Sequence, residues 1–93
     1  METAKRKKNK LILYRKRMGF SQKHVAQLLG LKDTATLCQY ERGHSLPPLT
    51  VALSLELILR VPVAFLFPCL YEELRVGIRA MEELAVCGQG LLF

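Results

Sequence analysis

Gly19-Phe20-Ser21-Gln22-Lys23-His24-Val25-Ala26-Gln27-Leu28-Leu29-Gly30, followed after the turn Leu31-Lys32-Asp33 by Thr36-Leu37-Cys38-Gln39-Tyr40-Glu41-Arg42-Gly43, is the stretch that decides the fold. Ser21 stands where an N-cap belongs, because its hydroxyl can accept from an amide that the first helical turn leaves unbonded. Behind it Val25, Ala26, Leu28 and Leu29 form one apolar face, and Gly30 can close the segment in a left-handed conformation. The spacing predicts a helix over 22–29. Asp33 can cap a second segment, in which Leu37 and Tyr40 lie three apart on one side and Gly43 ends the run. That predicts a helix over 34–42. Two short helices joined by a tight turn are a geometry in which one braces against a DNA backbone while the next enters the major groove. Helix pairs are common, so geometry alone is a weak signal.

Upstream, Leu11, Leu13, Tyr14 and Met18 mix helical spacing with Arg15, Lys16 and Arg17, and Gly19 supplies a stop, which predicts a helix over 9–18. Residues 1–8 are charged, lack apolar periodicity and read as a disordered basic arm, either a solvated terminus or an arm that touches DNA. Downstream, Leu46-Pro47-Pro48 cannot lie inside a helix but can precede one, over 49–60. Its apolar residues, from Leu49 to Leu59, spread around most of the circumference, so burial on most sides is expected. Pro62 can open a short helix over 62–66 and Pro68 another over 69–86. The latter carries Leu70, Leu74, Gly77 or Ile78, Met81 and Leu84 along one stripe, and 87–93 is expected to fray. No segment alternates as a strand does. The fold expected is all-α, a compact bundle of five short helices containing a helix-turn-helix, plus a C-terminal sixth helix. The organisation expected is the arm at 1–8, a DNA-binding domain at 9–67, and a helix at 68–93 that packs on the domain or dimerises.

The chain of 93 residues carries a net charge of +6, which suits a polyanionic partner. Its distribution is more informative. Residues 1–44 hold eleven of the fourteen Lys and Arg and only Glu2, Asp33 and Glu41 as acids, whereas 45–93 hold three Arg against five Glu. A basic reading half and an apolar packing half are implied. Cys38, Cys69 and Cys87 are odd in number, widely spaced and without a CxxC pair, so neither a disulfide framework nor a zinc site is indicated, and a cytoplasmic location fits. The longest apolar stretch, 49–67, is interrupted by Glu56, Arg60 and Pro62, which argues against a membrane span.

The order of residues from Gly19 to Gly43 resembles the lambda-repressor-like family, the Cro/C1 or XRE-type helix-turn-helix proteins, and the resemblance extends over about 9–67. Two departures are visible. The turn Leu31-Lys32-Asp33 is one residue longer than the commonest family turn, which leaves the recognition-helix register open by one residue. His24 occupies a place where the family often has Glu, and within the resemblance the entry Leu59-Arg60-Val61-Pro62-Val63 stands where the family usually has a Leu-Gly-Val-Ser type junction. With Leu37 and Tyr40 inward, the opposite face of the 34–42 helix carries Thr34, Ala35, Cys38, Gln39 and Arg42. The resemblance implies that Thr34, Ala35 and Gln39 read bases. Gln39 can address adenine through both amide groups, and Ala35 can pack on a thymine methyl. It also implies phosphate binding by Gln22, aided by the positive end of the helix dipole, with Lys23, Arg42 and His44 as further phosphate candidates. Each of those charges can equally serve solubility. Arg15 and Glu41 match a family ion pair that links the first helix to the end of the recognition helix.

The resemblance thus implies a small transcriptional regulator, a repressor by preference, that binds double-stranded DNA as a homodimer at a palindromic operator. The surplus apolar residues Phe65, Phe67, Leu70, Leu74, Ile78 and Met81 are the expected dimer interface, with a sixth helix folded back onto the domain as the alternative. A protein-interaction module, for instance an antitoxin or adaptor that grips a toxin or other protein partner through 49–86, is the competing function. Catalysis is not indicated, because His24 and His44 stand alone and the Glu pairs at 72–73 and 82–83 read as a solvated helix face. No cofactor or metal is expected. Cys38 on the expected DNA face is either a redox-sensitive thiol or a small half-buried side chain without a role.

Overall fold

The computed structural model describes residues 8–89, and its regular structure is six helices with no strand among the described residues. They are α1 (Leu11–Arg17), α2 (Gln22–Leu29), α3 (Ala35–Glu41), α4 (Leu49–Leu59), α5 (Val63–Leu66) and α6 (Pro68–Gln89). The expected arm lies outside the described residues except for Lys8, and the last four residues of the expected frayed tail also lie outside them.

Local chemistry sets the helix ends. Ser21 Oγ accepts from the His24 amide at 3.0 Å and starts α2, while Gly30, at a φ of 80°, ends it. A Cβ at Gly30 would meet nothing within 4 Å, so glycine is there for its left-handed backbone and not for lack of room. Asp33 Oδ1 accepts from the Ala35 amide at 3.0 Å and turns the chain into α3. Asn9 acts at the start of α1, where its Oδ1 accepts from the Leu11 amide at 3.0 Å and its Nδ2 donates to the Tyr40 carbonyl at 2.9 Å. The Lys10 amide also donates to the Leu66 carbonyl at 2.9 Å, so the chain ahead of α1 is tied to both α3 and α5.

The helices α1 to α5 share one core, built from Leu11, Val25, Leu37, Tyr40, Leu55, Leu59, Leu66 and Phe67, with Tyr14, Met18, Phe20, Leu29 and Leu70 packed partly against it. Leu11, Leu37, Leu55, Leu66 and Val25 are buried almost completely. Burying each such side chain contributes about 1.5–3 kcal/mol, so the core, more than any single helix's propensity, holds these short segments in place. Phe67 corrects one expectation: at 5% exposure it is a core residue and not available to a dimer interface. The last residue before α6 turns inward there, because the chain must close the bundle behind Leu66.

A second correction concerns α4. Only Ala52, Leu55 and Leu59 are buried, whereas Leu49, Leu53 and Leu57 line an exposed edge, with Leu57 78% exposed. The four other short helices supply walls for one side of α4 and leave none for the other. The sixth leaves the bundle instead of covering it. Beyond Leu70, every described side chain from Tyr71 to Ala85 is exposed, so α6 does not fold back to complete the core. The radius of gyration is accordingly 16.6 Å, against about 12 Å for a compact chain of this length. Arg75 with Glu72 and Arg79 with Glu82 form i,i+3 pairs along α6.

Candidate nucleic-acid interface

The candidate interface is the outer face of α3, and its orientation follows from what anchors the inner face. Leu37 and Tyr40 are seated in the core. Glu41, the last residue of α3, is buried and accepts three hydrogen bonds from two other helices. Arg15 Nε of α1 donates to Oε2 at 2.6 Å, Arg15 Nη2 donates to Oε1 at 3.4 Å, and Gln22 Nε2 of α2 donates to Oε1 at 2.8 Å. Arg15 Nη1 donates further to the Phe20 carbonyl at 3.1 Å, in the loop between α1 and α2. The Arg15 and Glu41 side chains are 11% and 2% exposed. One carboxylate thus pins the end of α3 to both preceding helices.

The anchoring turns Ala35, Gln39 and Arg42 to solvent, with Thr34 and Cys38 half-buried at the edge. Thr36, exposed at the N-terminal end of α3, was absent from the expected reading set because it lies toward the Tyr40 side of the helix wheel. Lys23 at the start of α2 and His44 after α3 are exposed. Gln22 is placed differently from the expectation. Its side chain is half-buried and one amide hydrogen is committed to Glu41, so a phosphate contact there falls to its backbone N–H or to the second amide hydrogen. Lys23, Ala26, Leu31, Lys32, Asp33 and Thr34 line a shallow concavity beneath the turn between α2 and α3. Among the described residues no cluster of His, Cys, Asp and Glu could hold a metal ion, and no helix is long and apolar enough to cross a membrane.

Two short helices with a tight turn, the second pinned from behind and presenting an amide and a guanidinium outward, form a helix-turn-helix. Residues 11–66 match the Helix-turn-helix family model HTH_3, the Cro/C1-type or XRE family, over more than half of the chain. The chain belongs to this family. Its members are DNA-binding transcription regulators, typically not enzymes, and that general function carries over to this HTH_3 protein. No curated protein and no solved structure matches the chain. The match covers α1 to α5 and stops where the core stops, leaving α6 outside the shared domain of the HTH_3 protein.

Proposed function

We propose that the protein is a repressor that binds a palindromic operator as a homodimer in the cytoplasm, with α3 in the major groove. Thr34, Ala35 and Gln39 read base edges, Gln39 by paired donation and acceptance at adenine. Lys23, Arg42, His44 and the start of α2 at Gln22 hold phosphates and set the register of α3. The observation that carries this reading is the division of α3: Leu37, Tyr40 and Glu41 are buried, and Ala35, Gln39 and Arg42 are bare. A helix held this firmly can present a fixed set of donors and acceptors to a groove. Two copies are needed to span successive groove turns about 34 Å apart, and Phe65, Leu70, Leu74, Ile78 and Met81 supply apolar surface for their contact.

The test is fluorescence anisotropy against a randomised duplex pool and then against the selected site, with Gln39→Ala alongside. The expected outcome is a palindromic site bound at least about a thousandfold more tightly than random duplex, with Gln39→Ala relaxing one base position per half-site. Equal binding to all sequences, or none at low salt, overturns it. A second reading, an antitoxin or adaptor that grips a protein through α4 to α6, is favoured by the exposed Leu49, Leu53 and Leu57 of α4. Operator preference with a steep salt dependence separates the two readings.

A further inference from the structure

Along α6, Leu70, Leu74, Gly77, Met81 and Leu84 follow one another at alternating intervals of four and three, the spacing that keeps a seam facing one partner helix. Tyr71, Leu74, Ile78, Met81 and Leu84 are each more than half exposed. A continuous row of large apolar side chains exposed along one helix marks an interaction surface, whereas scattered ones do not. The ion pairs of Glu72 with Arg75 and of Arg79 with Glu82 lie away from this seam.

Gly77 stands in the middle of the seam and near the middle of α6. Glycine is the poorest helix former after proline. Its φ is not among the positive ones, and a Cβ built there would meet nothing of this chain within 4 Å, so neither the backbone nor packing inside the protomer accounts for it. A shallow open hollow lined by Leu74, Ile78, Met81 and Ala85 with Glu73 and Glu82 at its rim lies on one side of it, and another lined by Pro68, Cys69 and Val76 with Glu72 and Glu73 on the other. A second helix can come closest where a side chain is missing.

The seam also reads almost the same in both directions from Gly77. Leu70 and Leu84 stand seven residues to either side, and Leu74 and Met81 three and four. An identical helix laid antiparallel therefore sets Leu70 against Leu84, Leu74 against Met81, and glycine against glycine. At its base the seam runs into an apolar groove of about 350 Å³, lined by Leu46, Ala52, Phe67, Leu70, Tyr71 and Leu74. The far end of an antiparallel partner helix arrives at this groove, whereas a parallel partner brings only a second copy of it.

We propose that α6 pairs antiparallel with α6 of a second copy and crosses it at Gly77. The pairing rests on the homodimer reading above and specifies its interface. Sedimentation equilibrium of the full chain and of Gly77→Leu, with circular dichroism, tests it. Leucine favours helix and its Cβ meets nothing in the protomer, so helicity stays equal or rises while dimerisation weakens at least tenfold. Orientation is read by oxidising a mixture of Leu70→Cys and Leu84→Cys chains in a Cys38→Ser, Cys69→Ser, Cys87→Ser background. Crosslinking between unlike chains, and not within either chain alone, is expected. Like-with-like crosslinks overturn the antiparallel pairing. An unchanged dimerisation constant in Gly77→Leu overturns the crossing and leaves the homodimer reading standing on another surface. A native chain that stays monomeric at every concentration overturns both.

Discussion

Glu41 is satisfied by Arg15 and Gln22 together, which makes it the residue on which the orientation of α3 depends. Removing the carboxylate leaves a nearly buried guanidinium without its partner. Glu41→Ala is therefore expected to lose about 3–5 kcal/mol of stability in urea unfolding, and DNA affinity with it. Replacing both partners, as Arg15→Met with Glu41→Leu, removes the orphaned charge and should recover at least half of the loss. A double variant no better than Glu41→Ala would mean that the carboxylate acts mainly through Gln22. At this scale the sequence was partly legible. The Arg15 and Glu41 pair came into view through the family resemblance, whereas the bond from Gln22 did not, because helical spacing says nothing about two residues nineteen apart. Asn9 was missed for the same reason: its amide reaches the Tyr40 carbonyl, thirty-one residues away.

Among the elements, α4 ends in a way its sequence does not favour. Arg60 has a φ of 60°, the left-handed region, at the position where the family usually has glycine. A non-glycine residue there costs roughly 1–2 kcal/mol, offset in part by the greater freedom that glycine gives the unfolded chain. Arg60→Gly is accordingly expected to raise stability by up to ~1 kcal/mol, seen as a higher urea midpoint at unchanged slope. A lower midpoint would show that the Arg60 side chain contributes more than its backbone conformation costs. The turn itself is held from the other side, since Glu56 Oε1 accepts from the Val63 amide at 3.1 Å and so ties the start of α5 back to α4. The boundaries of α2 and α3 were legible because Ser21, Gly30, Asp33 and Gly43 act within a few residues of themselves. The burial of α4 was not, because an all-round apolar helix announces only that its residues are apolar and not how many neighbours exist to cover them.

For the molecule as a whole, positive charge and surplus apolar surface are segregated between the two halves of the chain. If Lys23, Arg42 and His44 face phosphates, binding falls with salt at a log–log slope of about −0.9 per neutralised phosphate. Lys23→Ala should then weaken binding to all sequences alike and reduce the slope by about 0.9 per protomer. A slope unchanged by Lys23→Ala would move the phosphate contact to other groups. The exposed leucines of α4 and the bare length of α6 are apolar surface that the core of one protomer leaves uncovered, and the proposed homodimer would use it.

The sequence by itself determined the helices, the ends of α2 and the turn into α3, the helix-turn-helix and the family, because all of these rest on local hydrogen bonding and on periodicities that a linear string displays. The outward face of α3 was also readable, since Leu37 and Tyr40 fix a helix wheel without reference to anything else. Only the tertiary structure decided that Phe67 is core, that Gln22 turns inward to Glu41, that one edge of α4 stays bare and that α6 leaves the domain. Those outcomes depend on which surfaces are within reach of one another once five short helices have closed around Leu11, Leu37, Leu55 and Leu66. Burial is a property of the closed bundle, and an apolar residue finds cover only where the packing has left it a neighbour.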